Sequence, residues 1–276
     1  MQSISNKAHK PVGLVPTMGS IHEGHIKLIN ASKKQNTTTI VTLFINPAQF
    51  AENEDFHTYP RNFQKDKKLL SDLGVDILFA PETSQMYPNG FQTSVINDRL
   101  SSVLEGEKRP GHFRGVSTIV SKLLNITKPN NAYFGQKDFQ QLLIINKLNN
   151  DLNHGVKIVS IPTVREKDGL ALSSRNIHLN QSERKTANKI YASLKHAESL
   201  YLNGEVNSDS IIYAIQTYLL KESLIKIEYI SIRDKFTFED VSTVMPGSII
   251  LIAVSYTHLR AHETRHDIVC RLLLEK

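Results

Sequence analysis

From the N-terminus to about Pro162, short apolar runs alternate with helical patterns, and this alternation restricts the fold more than any other feature of the sequence. The apolar runs have the length and composition of strands that are buried on both faces of a sheet. They are residues 12–15, 40–45, 75–79, 132–134 and 156–161. Helical patterns lie between them at residues 24–34, 63–73, 114–127 and 138–148. The repeated strand–helix–strand units predict an α/β fold, a Rossmann-like parallel sheet with helices on both faces.

The pattern changes after Pro162. Helical patterns and then strand-like runs follow one another without alternation, which is typical of an α+β arrangement. The helices are predicted at residues 182–202 and 208–222, and the strands at residues 226–233 and 248–253. We therefore expect a Rossmann-like domain over residues 1–163 and a smaller C-terminal α+β domain over residues 164–254.

Composition and charge limit the class of protein. The single cysteine, Cys270, excludes an intramolecular disulfide and a cysteine-based zinc site. No run of about 18 apolar residues predicts a membrane span, and residues 1–10 lack the apolar core of a signal peptide, so we expect a cytoplasmic protein. The net charge of +6 suits small anionic substrates. Residues 65–68 are three lysines around Asp66, which we interpret as the solvated face of a helix, and we expect no nucleic-acid or membrane partner.

The segment Pro16-Thr-Met-Gly-Ser-Ile-His-Glu-Gly-His25 connects the first predicted strand to the first predicted helix. It lacks the Lys-Ser/Thr pair of a Walker A motif, so that assignment fails. A helix start with free backbone N–H groups favours phosphate, and His22 and His25 can donate hydrogen bonds to phosphoryl oxygens. Gly24 between them permits a close approach of a nucleotide to the backbone. A capped helix start with two incidental histidines explains the segment equally well.

Polar clusters also follow the other predicted strands, and ligands of parallel sheets bind at the carboxyl ends of strands. Asn46 and Gln49 can bind a hydroxyl or carboxylate of a small substrate, although an Asn-Pro turn has the same residues. Arg109, His112 and Arg114 precede a helix and are suited to an anion, with a solvated basic loop as the alternative.

Two later segments carry side chains that suit a phosphate and a metal ion. In residues 134–141, Lys137 can contact a phosphate while Asp138 contacts Mg²⁺; the alternative is a capped helix with a surface lysine. Residues 172–176 place two hydroxyls before Arg175. Together these side chains can form a second phosphate clamp; the alternative is a polar loop between domains. The chain has no nucleophile elbow, so hydrolase chemistry is not supported.

Taken together, these segments closely resemble the pantoate–β-alanine ligase family of the His-x-Gly-His nucleotidyltransferase superfamily. The shared motifs occur in the family's order between Pro16 and Asn176: Pro-Thr-Met-Gly-x-x-His-x-Gly-His, Asn-Pro-x-Gln-Phe, Arg-Pro-Gly-His-Phe-Arg-Gly, Gly-x-Lys-Asp-x-Gln-Gln and Thr-Val-Arg-Glu…Ser-Ser-Arg-Asn. The resemblance implies an ATP-dependent ligase in pantothenate and coenzyme A biosynthesis. Such an enzyme adenylates pantoate with release of pyrophosphate, and the amine of β-alanine then displaces AMP to give pantothenate.

The resemblance also implies roles for single residues. The catalytic residues would be His22, His25, Lys137 and Arg175. The ATP site would comprise Met18, Gly19, Ser20, Ile21, His22, Glu23, Gly24, His25, Gly135, Gln136, Lys137, Asp138, Val164, Leu172, Ser173, Ser174 and Arg175. The other substrates would contact Asn46, Gln49 and Gln141. Mg²⁺ would accompany the ATP phosphates and no protein metal cage is expected, and the family is typically a homodimer formed through its N-terminal domain.

The last residues depart from the family, whose chains commonly end in a Gly-x-Thr-Arg-Leu-Ile-Asp-Asn-like strand. We interpret residues 255–276 as a non-native tail with no regular structure after about Val254, whose deletion leaves stability unchanged or higher. His258, His262 and His266 could instead line one helical face as a metal site. Two alternatives to the main function remain open: another nucleotidyltransferase acting on a different acid, or a member of this family impaired by its altered C-terminus.

Overall fold

The computed structural model of the chain describes residues 1–52, 54–256 and 259–265. Its α-helices are α1 (Gln2–Lys7), α2 (Glu23–Gln35), α3 (Phe63–Asp72), α4 (Thr83–Met86), α5 (Glu105–Lys108), α6 (His112–Thr127), α7 (Phe139–Asp151), α8 (Gln181–Leu202) and α9 (Ser208–Leu219). Its strands are β1 (Val12–Thr17), β2 (Thr38–Leu43), β3 (Ile77–Phe79), β4 (Asn131–Gly135), β5 (Lys157–Ile161), β6 (Lys226–Asp234), β7 (Ser248–Tyr256) and β8 (Leu259–Arg265). Short 3₁₀ helices span Pro47–Gln49 and Ser174–His178.

The first five strands form one parallel sheet in the order β3-β2-β1-β4-β5. The central strand β1 is almost entirely buried, as a continuous apolar strand covered on both faces must be. Helices α2 and α3 bury Ile29 and Leu70 against Val15 and Val41 of the sheet, while α6 packs on β1 and α7 packs on β4 and β5. The predicted Rossmann-like fold is confirmed, and each of its predicted strands and helices is present with shifted ends.

The second sheet is antiparallel, in the order β6-β7-β8. Strand β7 is buried along nearly its whole length, and side chains of α8 and α9 such as Leu194 and Ile215 pack into the same core cluster as Ile250 and Val254. This is the predicted α+β arrangement.

The prediction that regular structure ends near Val254 is wrong for the residues that follow it. Strand β7 continues through Tyr256, which is 4% exposed. Strand β8 then pairs with β7 in antiparallel register, from Tyr256 opposite Leu259 to Ile250 opposite Arg265. Because residues 259–265 are a strand, the helical histidine face does not form there; His258 and residues 266–276 lie outside the described residues.

The chain divides into two compact units. The first is Met1–Gly135 together with Phe139–Pro162, and the second is Gln136–Asp138 together with the chain from Thr163 onward. The short excursion Gln136–Asp138 therefore belongs to the second unit, although it follows β4 directly. Within the described part of the chain, no helix is both long enough and apolar enough to span a membrane.

Candidate active site

The first site segment is the loop that connects β1 to α2. Thr17 ends β1, and its hydroxyl donates to the carbonyl of Thr42 at 2.7 Å and accepts the N–H of Gly19 at 3.2 Å. The next two N–H groups, of Ser20 and Ile21, donate to the carboxylate of Asp66. The loop is therefore held from within the protein at three consecutive backbone positions.

The two histidines cap the helix that follows this loop. Nδ1 of His22 accepts the N–H of Gly24 at 3.1 Å, and Nδ1 of His25 accepts the N–H of His22 at 3.3 Å. Their ring centroids are 4.1 Å apart, and both side chains are half-buried. Residue types that usually cap helices are serine, threonine, aspartate and asparagine, so two imidazoles in a reciprocal cap make this helix start unusual.

Two details of the predicted phosphate site are corrected by this geometry. The N–H groups of residues 19–22 and of Gly24 are bonded to protein side chains, so they are not the open phosphate cradle that the motif suggested. A Cβ on Gly24 would lie 2.9 Å from the His22 ring, so this glycine makes room for the histidine itself. Ligand contacts from this segment must come mainly from side chains. Glu23, the first residue of α2, is exposed.

The predicted solvated face of α3 is also corrected. Asp66 is only 4% exposed, and it lies four residues before Leu70 on the helix, which is 1% exposed. Residues spaced by four share a helix face, so this spacing was the signal that placed Asp66 inside. Its lysine neighbours at positions 65, 67 and 68 are exposed, as expected.

The second site segment follows β2 and orders a row of carboxamides. Asn46, 1% exposed, donates to Oε1 of Gln49 at 3.1 Å and to the carbonyl of Gly115 at 3.1 Å. Its own Oδ1 accepts the hydroxyl of Tyr87 at 2.7 Å. The amide nitrogen of Gln49 points to Sδ of Met18 at 3.2 Å, which brings this segment to the loop after β1. Tyr87 was not predicted as a site residue.

The buried cluster around Arg109 replaces the predicted anion site. The guanidinium binds both carboxylate oxygens of Glu54 at 2.6 and 2.7 Å and one oxygen of Glu105 at 2.8 Å. Nδ1 of His112 lies 2.8 Å from the backbone carbonyl of Gln49. Arg109 already has two carboxylate partners, so the anion-binding interpretation is wrong for it. The cluster instead supports the backbone of Gln49.

Burial and charge shift the pKa values in these segments. Burial would raise the pKa of Glu54, but the hydrogen bonds and charge of Arg109 outweigh it and hold the pKa below its ordinary value. Burial, together with the charge of Arg109, lowers the pKa of His112 and favours the neutral ring. Burial raises the pKa of Tyr87 to about 12, so its hydroxyl is a stable donor.

Helix α7 carries the paired glutamines of the fourth segment. Gln140 is 3% exposed, donates to the carbonyls of Leu100 and Val103, and accepts the N–H of Glu105, so it is structural. Gln141 is half-buried, and no described residue forms a side-chain hydrogen bond with it. Of the two, Gln141 is the one whose carboxamide can bind a substrate.

The remaining predicted ATP residues belong to the second unit, apart from Gly135 at the end of β4. Lys137 lies 3.4 Å from the carboxylate of Asp138 and follows Gln136 in the connection after β4. Val164 and Leu172 are brought together in a narrow turn by the hydrogen bond from the N–H of Leu172 to the carbonyl of Val164 at 2.9 Å.

The same turn leads into the Ser-Ser-Arg segment. Oγ of Ser173 accepts the N–H of Arg175 at 3.3 Å and so begins a 3₁₀ helix, in which Ser174 is buried. A residue outside the motifs supports this turn: Arg184 of α8 binds Glu166 at 2.7 Å and Asp168 at 2.6 Å. No sequence motif indicated a role for Arg184.

The sheet, with a histidine-capped helix start at the end of its central strand and carboxamides after the neighbouring strand, is typical of an α/β enzyme whose ligands bind at the carboxyl ends of the strands. Comparison with known proteins shows which enzyme family this is. A model of the pantoate-beta-alanine ligase family matches residues 1–265. The chain belongs to the pantoate–β-alanine ligase family.

Relatives and solved structures agree with this assignment. The pantothenate synthetase of Pseudothermotoga lettingae is 48% identical over 247 residues, covering 90% of this chain and 88% of the relative. That of Dehalococcoides mccartyi is 48% identical over 260 residues, covering 94% and 97% of the two chains. The crystal structure of the Thermus thermophilus pantothenate synthetase matches with a TM-score of 0.92 at 37% identity, covering 95% of this chain and 96% of that one.

A second similar structure is the Francisella tularensis pantoate-beta-alanine ligase complexed with β-γ ATP and β-alanine. It matches with a TM-score of 0.78 at 36% identity and covers 96% of this chain and 93% of that one. The chain is therefore a ligase of pantothenate biosynthesis that condenses pantoate with β-alanine at the expense of ATP.

Proposed function

We propose that the condensation proceeds through pantoyl adenylate. A carboxylate oxygen of pantoate bonds to the α-phosphorus of ATP, and the bond from that phosphorus to the bridging oxygen breaks, which releases pyrophosphate. The nitrogen of β-alanine then bonds to the acyl carbon, AMP leaves with the electron pair of the acyl–oxygen bond, and the amine proton passes to solvent. A free carboxylate is a poor acyl donor, so the first step supplies the leaving group for the second.

The catalytic assignment rests on the hydrogen bonds that Nδ1 of His22 and Nδ1 of His25 accept. A ring nitrogen that accepts a hydrogen bond carries no proton, and Nδ1 of both His22 and His25 accepts a backbone N–H. In the neutral form of each ring, the proton then lies on Nε2. The helix cap thus prepares two fixed Nε2–H donors for the phosphoryl oxygens, and donors that need no reorganisation stabilise a transition state most effectively.

The other predicted residues take roles that suit their surroundings. Lys137 is a cation for the phosphates, and the hydroxyls of residues 173 and 174 with Arg175 form the second phosphate clamp. Gln49 and Gln141 bind pantoate, and Gln49 also lies near the β-alanine site. Asn46 is buried with both amide hydrogens already donated inside the protein, so we assign it to orienting Gln49 instead of to direct contact with substrate.

Mg²⁺ fits this assignment as a companion of ATP. The carboxylate of Asp138 is 46% exposed and offers the hard oxygen ligand that Mg²⁺ prefers, next to the Lys137 ammonium. When bound, the ion would neutralise part of the phosphate charge.

We also propose a homodimer formed through residues 1–163, because the family that this chain belongs to is typically dimeric. Sedimentation velocity tests this proposal. The reaction is proposed to occur in the cytoplasm, where ATP is supplied.

The histidine assignment is tested by two substitutions of His25 that separate its two nitrogens. His25→Asn places an oxygen where Nδ1 lies and keeps the cap, but it removes the Nε2–H donor. His25→Gln places an amide N–H near the Nε2 position but loses the cap. We expect pantoate-dependent pyrophosphate release to fall by about 100- to 1,000-fold in His25→Asn, as for loss of a preorganised donor, with little change in stability.

We expect His25→Gln to show the reverse balance. It should lose about 1 kcal/mol of stability with the cap and keep more activity than His25→Asn. Initial rates of pyrophosphate release and urea unfolding curves, measured on both variants and the wild type, give the comparison. Higher activity in His25→Asn than in His25→Gln would contradict the assignment of the reactive donor to Nε2.

A further inference from the structure

The carboxylate of Asp66 is a buried polar group to which the proposed mechanism gives no role. It belongs to α3, which is far in sequence from the loop after β1, yet Oδ2 accepts the N–H of Ser20 at 2.7 Å and Oδ1 accepts the N–H of Ile21 at 2.9 Å. The side chain is nearly inaccessible, with 4% exposure. Both oxygens of this one buried carboxyl group therefore hold two consecutive residues of the loop.

The held residues have a backbone conformation that side chains disfavour. Gly19 has φ of 88° and Ser20 has φ of 52°, so two consecutive residues lie in the left-handed region. Glycine adopts this region without cost, but serine does not. Such a conformation persists only where the surroundings enforce it, and the bond from the Ser20 N–H to Asp66 is a contact that enforces it.

This conformation decides which groups the loop offers to a nucleotide. The N–H groups of Ser20 and Ile21 point inward to Asp66, so the side of the loop that remains for ligand consists of side chains and carbonyls. His22, whose ring begins α2, follows directly. A loop that lost Asp66 would be free to turn these N–H groups outward and to shift the start of the helix.

We propose that Asp66 is a positioning residue that sets the affinity of the loop after β1 for ATP by fixing the backbone of Ser20 and Ile21. The proposal rests on the assignment of this loop to the ATP site. Asp66 touches no substrate; it acts through the two N–H groups. It therefore affects the use of ATP and leaves the use of β-alanine unchanged.

The test compares Asp66→Asn with Asp72→Asn, a change of the same chemistry on the same helix. Asp72 is exposed and, among the described residues, forms its ion pair with Lys68 at 2.9 Å. In Asp66→Asn one acceptor becomes an NH₂ group that faces a backbone N–H. We expect the KM for ATP to rise by about tenfold to a hundredfold, the KM for β-alanine to change by less than about twofold, and Asp72→Asn to match the wild type. Asp66→Glu, which keeps the charge but displaces it, should give an intermediate KM for ATP and provides a second folded variant.

A double-mutant cycle with Ser20→Gly separates positioning from general stability. Glycine adopts the left-handed conformation freely, so the loop of Ser20→Gly depends less on Asp66. We expect the fold-change caused by Asp66→Asn to be at least threefold smaller in the Ser20→Gly background than in the wild type. Equal fold-changes in both backgrounds, or parallel rises in both KM values with a lower melting temperature, would overturn the proposal and leave Asp66 a purely structural residue.

The same variants distinguish this proposal from the proposed function. Binding of a non-hydrolysable ATP analogue, measured by calorimetry without pantoate, tests Asp66 alone. A wild-type chain that binds the analogue but exchanges no pyrophosphate with pantoate would refute the adenylation route, while the comparison of Asp66→Asn with Asp72→Asn would still decide the role of Asp66.

Discussion

Removing the hydroxyl of Tyr87 should raise the KM for pantoate. The effect passes through Asn46, which accepts this hydroxyl, and Gln49, which accepts from Asn46. In Tyr87→Phe the ring and its packing stay, and the bond to Oδ1 of Asn46 is lost. That oxygen then keeps one contact, the N–H of Ala48 at 3.4 Å, which is long for a hydrogen bond. Because Asn46 also orients Oε1 of Gln49, freeing one end of Asn46 loosens the side chain that we assign to pantoate.

The structure sets the size of this effect. Asn46 is 1% exposed, so water cannot replace the lost donor. A buried acceptor left unsatisfied costs about 1–3 kcal/mol, and the remaining contact with Ala48 places the expected loss of stability at about 1–2 kcal/mol. If a similar free energy is lost from binding, the KM for pantoate rises by about 5- to 30-fold. ATP does not contact this row of carboxamides in our assignment, so its KM should stay within about twofold.

Urea unfolding and steady-state kinetics with each substrate varied in turn measure both effects. Tyr213→Phe is the matched control, because Tyr213 of α9 is 70% exposed and the change removes the same hydroxyl. The reasoning is wrong if Tyr87→Phe loses stability while the KM for pantoate is unchanged, or if the KM for ATP rises as much as that for pantoate. The first result would show that Tyr87 contributes to stability alone. The second would show that its effect is not specific to pantoate.

Three further predictions follow from the charged groups. The pKa of His112 is lowered in the folded chain, so the unfolded chain binds this proton at a higher pH than the folded chain does. The free energy of unfolding, followed by tyrosine fluorescence at a series of pH values, should therefore fall as the pH drops below about 6.5. The lowered pKa of Glu54 adds a second loss of stability below its ordinary value of 4.5. His112→Gln should remove the upper phase only. Lys137→Ala should lower kcat for pyrophosphate release more than it raises the KM for ATP, because a cation that follows the migrating charge acts mainly in the transition state; a change in KM alone would refute this. Arg184→Met should raise the KM for ATP severalfold with a stability loss under about 1 kcal/mol, since its two ion pairs are about one-third exposed; Lys195→Met, which breaks an exposed pair elsewhere on α8, should leave that KM unchanged.

Local sequence patterns predicted the architecture well because they depend on neighbouring residues. Buried strands such as β1 and β2 are continuous apolar runs, and α6 shows a clear apolar stripe, so their positions follow from side-chain periodicity alone. The ends were less accurate: β2 is Thr38–Leu43 where residues 40–45 were predicted. Buried threonines begin that strand, and hydroxyl side chains that bond inside a sheet do not look apolar in a sequence.

The partners of the site residues could not be predicted in the same way. The bond from Ser20 to Asp66 joins residues 46 positions apart, and that from Tyr87 to Asn46 joins residues 41 apart, so no local pattern reports either. The motif around His22 correctly indicated the start of a helix. It did not show that protein groups already occupy the backbone N–H groups, because that occupancy depends on α3. The anion-binding prediction for Arg109 was wrong for a related reason, since its carboxylate partner Glu54 lies 55 residues away in the sequence.

The C-terminal strands give a last prediction, which reverses the expectation drawn from sequence for part of the tail. Ending the chain after Val254 removes Tyr256 and all of β8. One edge of the buried strand β7 then loses its backbone hydrogen bonds to β8. An unpaired apolar edge loses its hydrogen bonds and also favours association between chains. We expect the free energy of unfolding of this shortened chain in urea to be lower by at least about 2 kcal/mol, since several ladder hydrogen bonds of about 0.5–1.5 kcal/mol each are lost, and we expect it to aggregate on heating.

A chain that ends after Arg265 keeps every described strand and is the matched control. We retain the interpretation of the residues beyond it as a non-native tail, so its unfolding curve should coincide with that of the full chain. Lower stability of the chain ending at Arg265 would refute that interpretation, and equal stability of the chain ending at Val254 would refute the contribution of β8. Repeating the melts with Zn²⁺ tests the histidine alternative, because only the full chain holds His258, His262 and His266 together; a zinc-dependent rise confined to it would restore a metal site there.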